Sequence, residues 1–140
     1  MKRPSIVDIR RTVKNTVRLP FEELAAAILP RNYELSLVIC GDSLAQRMNK
    51  MYRKKTYKPN VLSFPLSKHE GEIFLNIRKA AREARRLGIP ARARIAHLFV
   101  HGCTHLRGLK HGTTMDRLEQ KVLKKYKFQS ILKSQTIINS

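Results

Sequence analysis

Sixteen residues constrain this chain more than all the others: Ala96 to His111, reading Ala-His-Leu-Phe-Val-His-Gly-Cys-Thr-His-Leu-Arg-Gly-Leu-Lys-His. Four of its five histidines fall here, at positions 97, 101, 105 and 111. On a helix, His101 and His105 are four residues apart, so their rings leave the same face and their nitrogens can meet at one ion. Gly108 follows three residues later, where a helix can end in a left-handed turn. Such a turn brings His111 back over that face. The spacing His-x-x-x-His-x-x-Gly-x-x-His therefore predicts three neutral imidazoles around one divalent metal, with a position left for water or substrate. Zn²⁺ is the expected ion, because imidazoles suit a borderline metal.

His97 extends the stripe but lies eight residues from His105, about 12 Å along a helix axis. Two bonds of about 2 Å each cannot span that, so His97 is expected behind the ligands rather than on the ion. Cys103 sits about 200° around the helix from His101 and is expected in the core. The same spacing occurs in metzincin proteases, whose general base is a Glu directly after the first His. Here that place is Gly102. A peptidase using that base is argued against; an enzyme acting on another bond is not.

Charge narrows the partner. The chain has 29 Lys and Arg against 10 Asp and Glu, a net +19 over 140 residues. Such a chain repels itself, and a polyanion that releases its counterions relieves the repulsion. The cations cluster at Lys50, Arg53, Lys54, Lys55 and Lys58, at Arg78, Lys79, Arg82, Arg85 and Arg86, and at Lys121, Lys124, Lys125 and Lys127. Lys54, Lys55, Lys58, Arg82 and Arg86 are the candidate RNA contacts. An anionic membrane surface also fits the charge, but no basic helix pairs it with exposed Trp or Phe. The longest apolar run, Leu24 to Leu29, has six residues, far short of the roughly 20 that cross a bilayer. Lys2 and Arg3 lead into Pro4 and Asp8 rather than a greasy secretory segment; a transit peptide in the first 18 residues is the alternative. Cys40 and Cys103 make no disulfide framework, so a reduced, cytoplasmic setting is expected.

The rest of the pattern predicts an α+β fold. Ile6, Val7 and Ile9 read as a short strand. A helix starts at Pro20 and stops at Pro30. Leu35 to Cys40 reads as a strand, and Asp42 as the N-cap of a helix through Leu44, Met48 and Tyr52. Val61 to Phe64, ended by Pro65, and Glu72 to Asn76 form a paired set of strands. Helices follow at Arg78 to Leu87, Ala91 to Arg107 and Thr114 to Tyr126. One domain over residues 1–140 is expected, with 127–140 as a loosely packed tail. Strands cluster early and helices late, which favours α+β over regular alternation.

Two stretches carry a resemblance. Arg53 with Lys58-Pro59-Asn60-Val61-Leu62-Ser63-Phe64-Pro65 resembles an Arg followed by Lys-Pro-Thr-Asp/Asn-Val-Leu-Ser-Phe-Pro in the YbeY family, the metal-dependent endoribonucleases also called rRNA maturation factors. His97 to His111 resembles that family's His-x-x-x-His-Gly-x-x-His-Leu-x-Gly-Tyr-Asp-His. The likeness covers roughly residues 5 to 126. Two positions depart from it: Leu109-Lys110 replaces Tyr-Asp, and the Thr after the Pro is missing, although Tyr57-Lys58-Pro59 keeps the distance from Arg53 to Asn60. The resemblance implies a mixed sheet of about four strands with a zincin-like metal helix across it and a cleft at the histidines. It also implies a zinc-type ion, a bacterial cytoplasm, cleavage of single-stranded RNA in ribosomal RNA maturation, and contact with the ribosome or a small-subunit protein.

On this reading His101, His105 and His111 hold the ion, and Arg53 clamps the scissile phosphate with its planar fork. Asp116 and Glu119 are open candidates for a general base, with helix-start and surface roles equally open. Thr104 bonds either a substrate or its own helix. Ser63 is a structural hydroxyl, and Asn60 bonds a neighbouring strand or a nucleotide. Two rival classes stand beside the nuclease: a non-catalytic RNA-binding factor with a structural metal, and a metallopeptidase.

Overall fold

In a computed structural model, which describes residues 6–14 and 17–128, four strands make one mixed sheet. They are β1 (Ile6–Arg11), β2 (Glu34–Cys40), β3 (Val61–Ser67) and β4 (Glu70–Asn76), in the order β1-β2-β4-β3. β1, β2 and β4 run parallel, and β3 returns antiparallel to β4 as an edge strand. The helices are α1 (Phe21–Ala26), α2 (Asp42–Arg53), α3 (Ile77–Leu87), α4 (Ala91–Leu106) and α5 (Thr113–Lys125). This is the expected α+β arrangement.

Both faces of the sheet are covered, which follows from apolar residues on both sides of the pleat. Leu35, Leu37 and Ile39 of β2, with Ile73 and Leu75 of β4, join Leu98, Phe99 and Cys103 of α4 in the main core. Val38, Cys40, Leu62 and Phe74 point the other way and pack with Ala45, Leu44 and Met48 of α2. Helix α2 thus covers one face, while α1, α3, α4 and α5 gather on the other. Twelve of the sixteen residues of α4 are buried, so it is a central helix rather than an amphipathic surface one.

A buried polar knot joins three of these elements. The Glu83 carboxylate of α3 accepts from Arg94 Nε of α4 at 3.0 Å and from Asn60 Nδ2, just before β3, at 3.2 and 3.3 Å. Asn60 is fully buried, which corrects the expectation that it might touch a nucleotide; its amide is committed to Glu83.

Other details differ from expectation for local reasons. Pro65 does not end β3, which continues to Ser67 with a bulge between Pro65 and Ser67; an edge strand tolerates the missing N–H. Asp42 is the first helical residue of α2 rather than its cap, and its carboxylate binds Arg82 and Asn76 instead of its own helix. Of the expected loose tail, Phe128 packs against the core with the Arg92 guanidinium 5.4 Å from its ring centre; residues 129–140 lie outside the described residues. Among those described, no helix is long and apolar enough to cross a membrane.

Candidate metal centre

The site is built by how α4 ends. Gly108 takes φ 90°, a left-handed conformation open to glycine. Its N–H donates to the His105 carbonyl at 2.9 Å and the Leu109 N–H to the Thr104 carbonyl at 3.1 Å, the paired bonds of a Schellman turn. The chain reverses there and carries His111 over the last turn of α4. Ring centres of His101, His105 and His111 lie 4.7, 4.9 and 5.5 Å apart.

One ligand atom from each of the three histidines lies within 4.8 Å of the others. His101 Nε2 and His105 Nε2 are 3.2 Å apart. Two nitrogens about 2 Å from one tetrahedral ion stand roughly 3.3 Å apart, so this pair already fits a common metal. Burial, aided by the neighbouring His101 and His111 rings, holds the His105 pKa down at about 4 against a pull from Glu119. His105 is therefore neutral at pH 7, the form that binds metal.

Behind the triad stands Glu119 of α5, almost wholly buried. Its Oε2 lies 2.6 Å from His101 Nδ1, and its Oε1 lies 3.4 Å from His97 Nε2. A proton on His101 Nδ1 donated to this carboxylate leaves Nε2 as the free lone pair, aimed at His105. Burial pushes the Glu119 carboxyl up, but the hydrogen bonds from His101 and His97 outweigh it and bring the pKa to about 2. Thr104, fully buried, donates its hydroxyl within reach of the His101 carbonyl at 2.7 Å and Glu119 Oε2 at 3.1 Å; a substrate has no access to it. Asp116 is exposed in the first turn of α5.

A model of the endoribonuclease YbeY family matches residues 3–131 of this chain. The chain belongs to the endoribonuclease YbeY family. It is 36% identical over 122 residues to the endoribonuclease YbeY of Aromatoleum aromaticum, covering 79% of each. It is 31% identical over 138 residues to that of Caldicellulosiruptor bescii, covering 86% of this chain and 81% of the relative. A solution structure of a Thermotoga maritima protein shares the fold, with TM-score 0.64 and 18% identity over 87% of this chain and 92% of that one.

Gly102, where a metzincin carries its Glu, faces the sheet. An added Cβ would stand 3.0 Å from Ser63 Oγ and 3.1 Å from Ile73 Cδ1, so a larger residue there would be driven into β3 and β4. Ser63 uses the close approach: its hydroxyl donates to the Gly102 carbonyl at 3.1 Å, tying β3 to the metal helix. Cys103 is in the core, as expected, and burial keeps its thiol protonated.

Arg53 ends α2, and its Nη1 donates to Asn49 Oδ1 at 3.2 Å and Tyr57 OH at 3.0 Å; these bonds run within its own turn and not to the histidines. Lys54, Lys55 and Lys58 are exposed on that turn, and Arg86 on α3. Arg82 is also exposed, yet both its terminal nitrogens hold Asp42 at 2.9 Å, so its fork is occupied by a carboxylate.

Glu119 offers a direct test. Its folded pKa lies below its ordinary 4.5, so its stabilisation is full above pH 4.5 and is lost as pH falls toward about 2. In metal-free protein, Glu119→Gln is expected to flatten that acid limb in thermal melts. Zinc competition titrations should show affinity about 10–100-fold weaker. Unchanged affinity would mean that the carboxylate does not orient His101.

Proposed function

We propose that this chain is a metal-dependent endoribonuclease that cuts single-stranded RNA in ribosomal RNA maturation in the cytoplasm. The observation that carries the reading is the His101, His105 and His111 set, within 4.8 Å at its ligand atoms, in a chain of this family with a net charge of +19. These three residues would hold the ion, for which Zn²⁺ fits the all-imidazole donor set. When bound, it supplies Lewis acidity toward a phosphate oxygen and activates water. Glu119, with His97 beside it, keeps His101 in the ligating tautomer. Among the described residues the set has three members, whereas a purely structural zinc takes four; this favours catalysis over a metal staple.

Arg53 is assigned the scissile phosphate. Asn49 and Tyr57 fix its guanidinium from one side, so little ordering is left to do when a phosphate arrives. Lys54, Lys55, Lys58 and Arg86 neutralise flanking phosphates, Arg82 less so because Asp42 engages it. Contact with the ribosome or a small-subunit protein belongs to the same proposal.

Purified protein incubated with single-stranded and duplex RNA, with and without chelator, tests the reading. Chelator-sensitive cleavage of the single strand is expected. Cleavage of neither, despite stoichiometric zinc, would point instead to a binding factor with a structural metal. Arg53→Ala should cut turnover about 10²–10³-fold, the cost of one lost charge-stabilising donor, with metal content unchanged. Arg53→Lys should recover only part, because an ammonium lacks the fork. Loss of metal in either variant would refute this division of roles.

A further inference from the structure

Away from the histidines, an open crevice of about 610 Å³ lies outside the carboxyl ends of the parallel strands. The topology creates it. The chain leaves β2 into α2 on one face of the sheet and leaves β4 into α3 on the other. Adjacent parallel strands whose helices depart to opposite faces leave a gap at the sheet edge, the usual ligand position in open α/β sheets. Its walls include Thr12, Gly41 and Ser43, with Arg47 from α2 and Arg78 and Arg82 from α3.

Its charge is positive and held in place. The one carboxylate in the wall, Asp42, is taken by both terminal nitrogens of Arg82 at 2.9 Å and by Asn76 Nδ2 at 2.9 Å. Among the described residues, no carboxylate pairs with Arg47 or Arg78. Arg78 lies across Gly41: a Cβ there would stand 3.3 Å from Arg78 Cγ and 3.4 Å from Val13. The twelve-residue helix α2 begins at this wall with no side-chain cap, so its first N–H groups add to the two free guanidinia.

We propose that this crevice binds a phosphate group, through Arg47, Arg78 and the Ser43 hydroxyl, as a site separate from the metal centre. The two sites lie toward opposite ends of β4. Leu106, at the end of the metal helix, packs at Gly71 near the start of the strand, whereas the crevice opens beyond Asn76 at its finish. The phosphate is assigned to an RNA strand that extends past the cleavage site, and only that assignment rests on the nuclease reading. A free phosphate-bearing small molecule presents the same chemistry.

The zinc-loaded protein would be titrated with inorganic phosphate while the Gly41, Ser43 and Leu44 amides are followed by NMR. Long single-stranded RNA would be bound at several salt concentrations to wild type, to Arg47→Ala/Arg78→Ala, and to Arg85→Ala as a control for overall charge. Phosphate is expected to shift those amides in wild type and not in the double variant. The salt slope for RNA should fall by about 1.4 in the double variant, at about 0.7 per lost phosphate contact, and by less in Arg85→Ala. Cleavage of a trinucleotide should be unchanged. Amide shifts with an unaltered RNA slope would overturn the assignment to RNA in favour of a free ligand. No shifts, with the double variant equal to Arg85→Ala, would overturn the site. Absence of nuclease activity in wild type would leave the amide shifts standing, so the two readings fail separately.

Discussion

The His105→Ala protein is expected to lose its divalent metal at pH 7 and to cut RNA at least about 10³-fold more slowly than wild type. Both losses follow from geometry. His105 Nε2 stands 3.2 Å from His101 Nε2, and the His105 ring is 4.9 Å from that of His111, so it is the member that links the other two. Its removal leaves two imidazoles, one of them on a turn beyond the helix, and the several kcal/mol of charge stabilisation that a metal supplies goes with the ion. Stability gives an independent readout. Zinc at about 100 times its Kd should stabilise wild type by about 2.7 kcal/mol, and melts of His105→Ala should not respond. His97→Ala is the contrast: it should retain metal, because its ring meets Glu119 and not the ion. Elemental analysis, melts with and without zinc, and an RNA cleavage assay read the three effects. A His105→Ala protein that kept both zinc and activity would remove the basis for the site.

The histidines were legible because their geometry is local. A four-residue step on a helix and a glycine three residues on are enough to bring three rings together, and neither depends on the rest of the fold. Glu119 was harder, being 18 positions from His101 and on another helix. It stood level with Asp116 as a candidate because both are acids early in α5. A signal did separate them: Met115, Glu119, Val122 and Leu123 form the buried stripe of that helix, and an acid on an apolar stripe needs a partner. The basic clusters were legible as exposed charge but not in their pairing. Arg82 meets Asp42 only because β2 and β4 are neighbours, which depends on strand order. The crevice has the same origin, for no local pattern states to which face each helix departs.

The buried knot of Asn60, Glu83 and Arg94 should account for the largest loss of stability that a single substitution can cause here. Arg94 is 1% exposed and Glu83 3%, so neither charge has water to fall back on. Glu83→Gln removes the counter-charge from Arg94 and is expected to cost about 3–5 kcal/mol, as breaking buried pairs does. A domain of this size has only about 5–15 kcal/mol in total. The urea midpoint should therefore drop by more than about 1 M. Replacing both partners by apolar residues, Glu83→Leu with Arg94→Met, should recover most of the loss, since the penalty comes from an unpaired buried charge rather than from absent attraction. The function is coupled to this. Arg94 lies one turn before His97 on α4, and Asn60 opens the strand whose Ser63 holds Gly102, so the knot clamps the metal helix to β3. If the clamp matters only for stability, the double variant will bind zinc as wild type does. If it also sets the histidines, zinc affinity will stay weak even where the urea midpoint is restored. A Glu83→Gln protein as stable as wild type would show that the pair does not carry the load its burial implies.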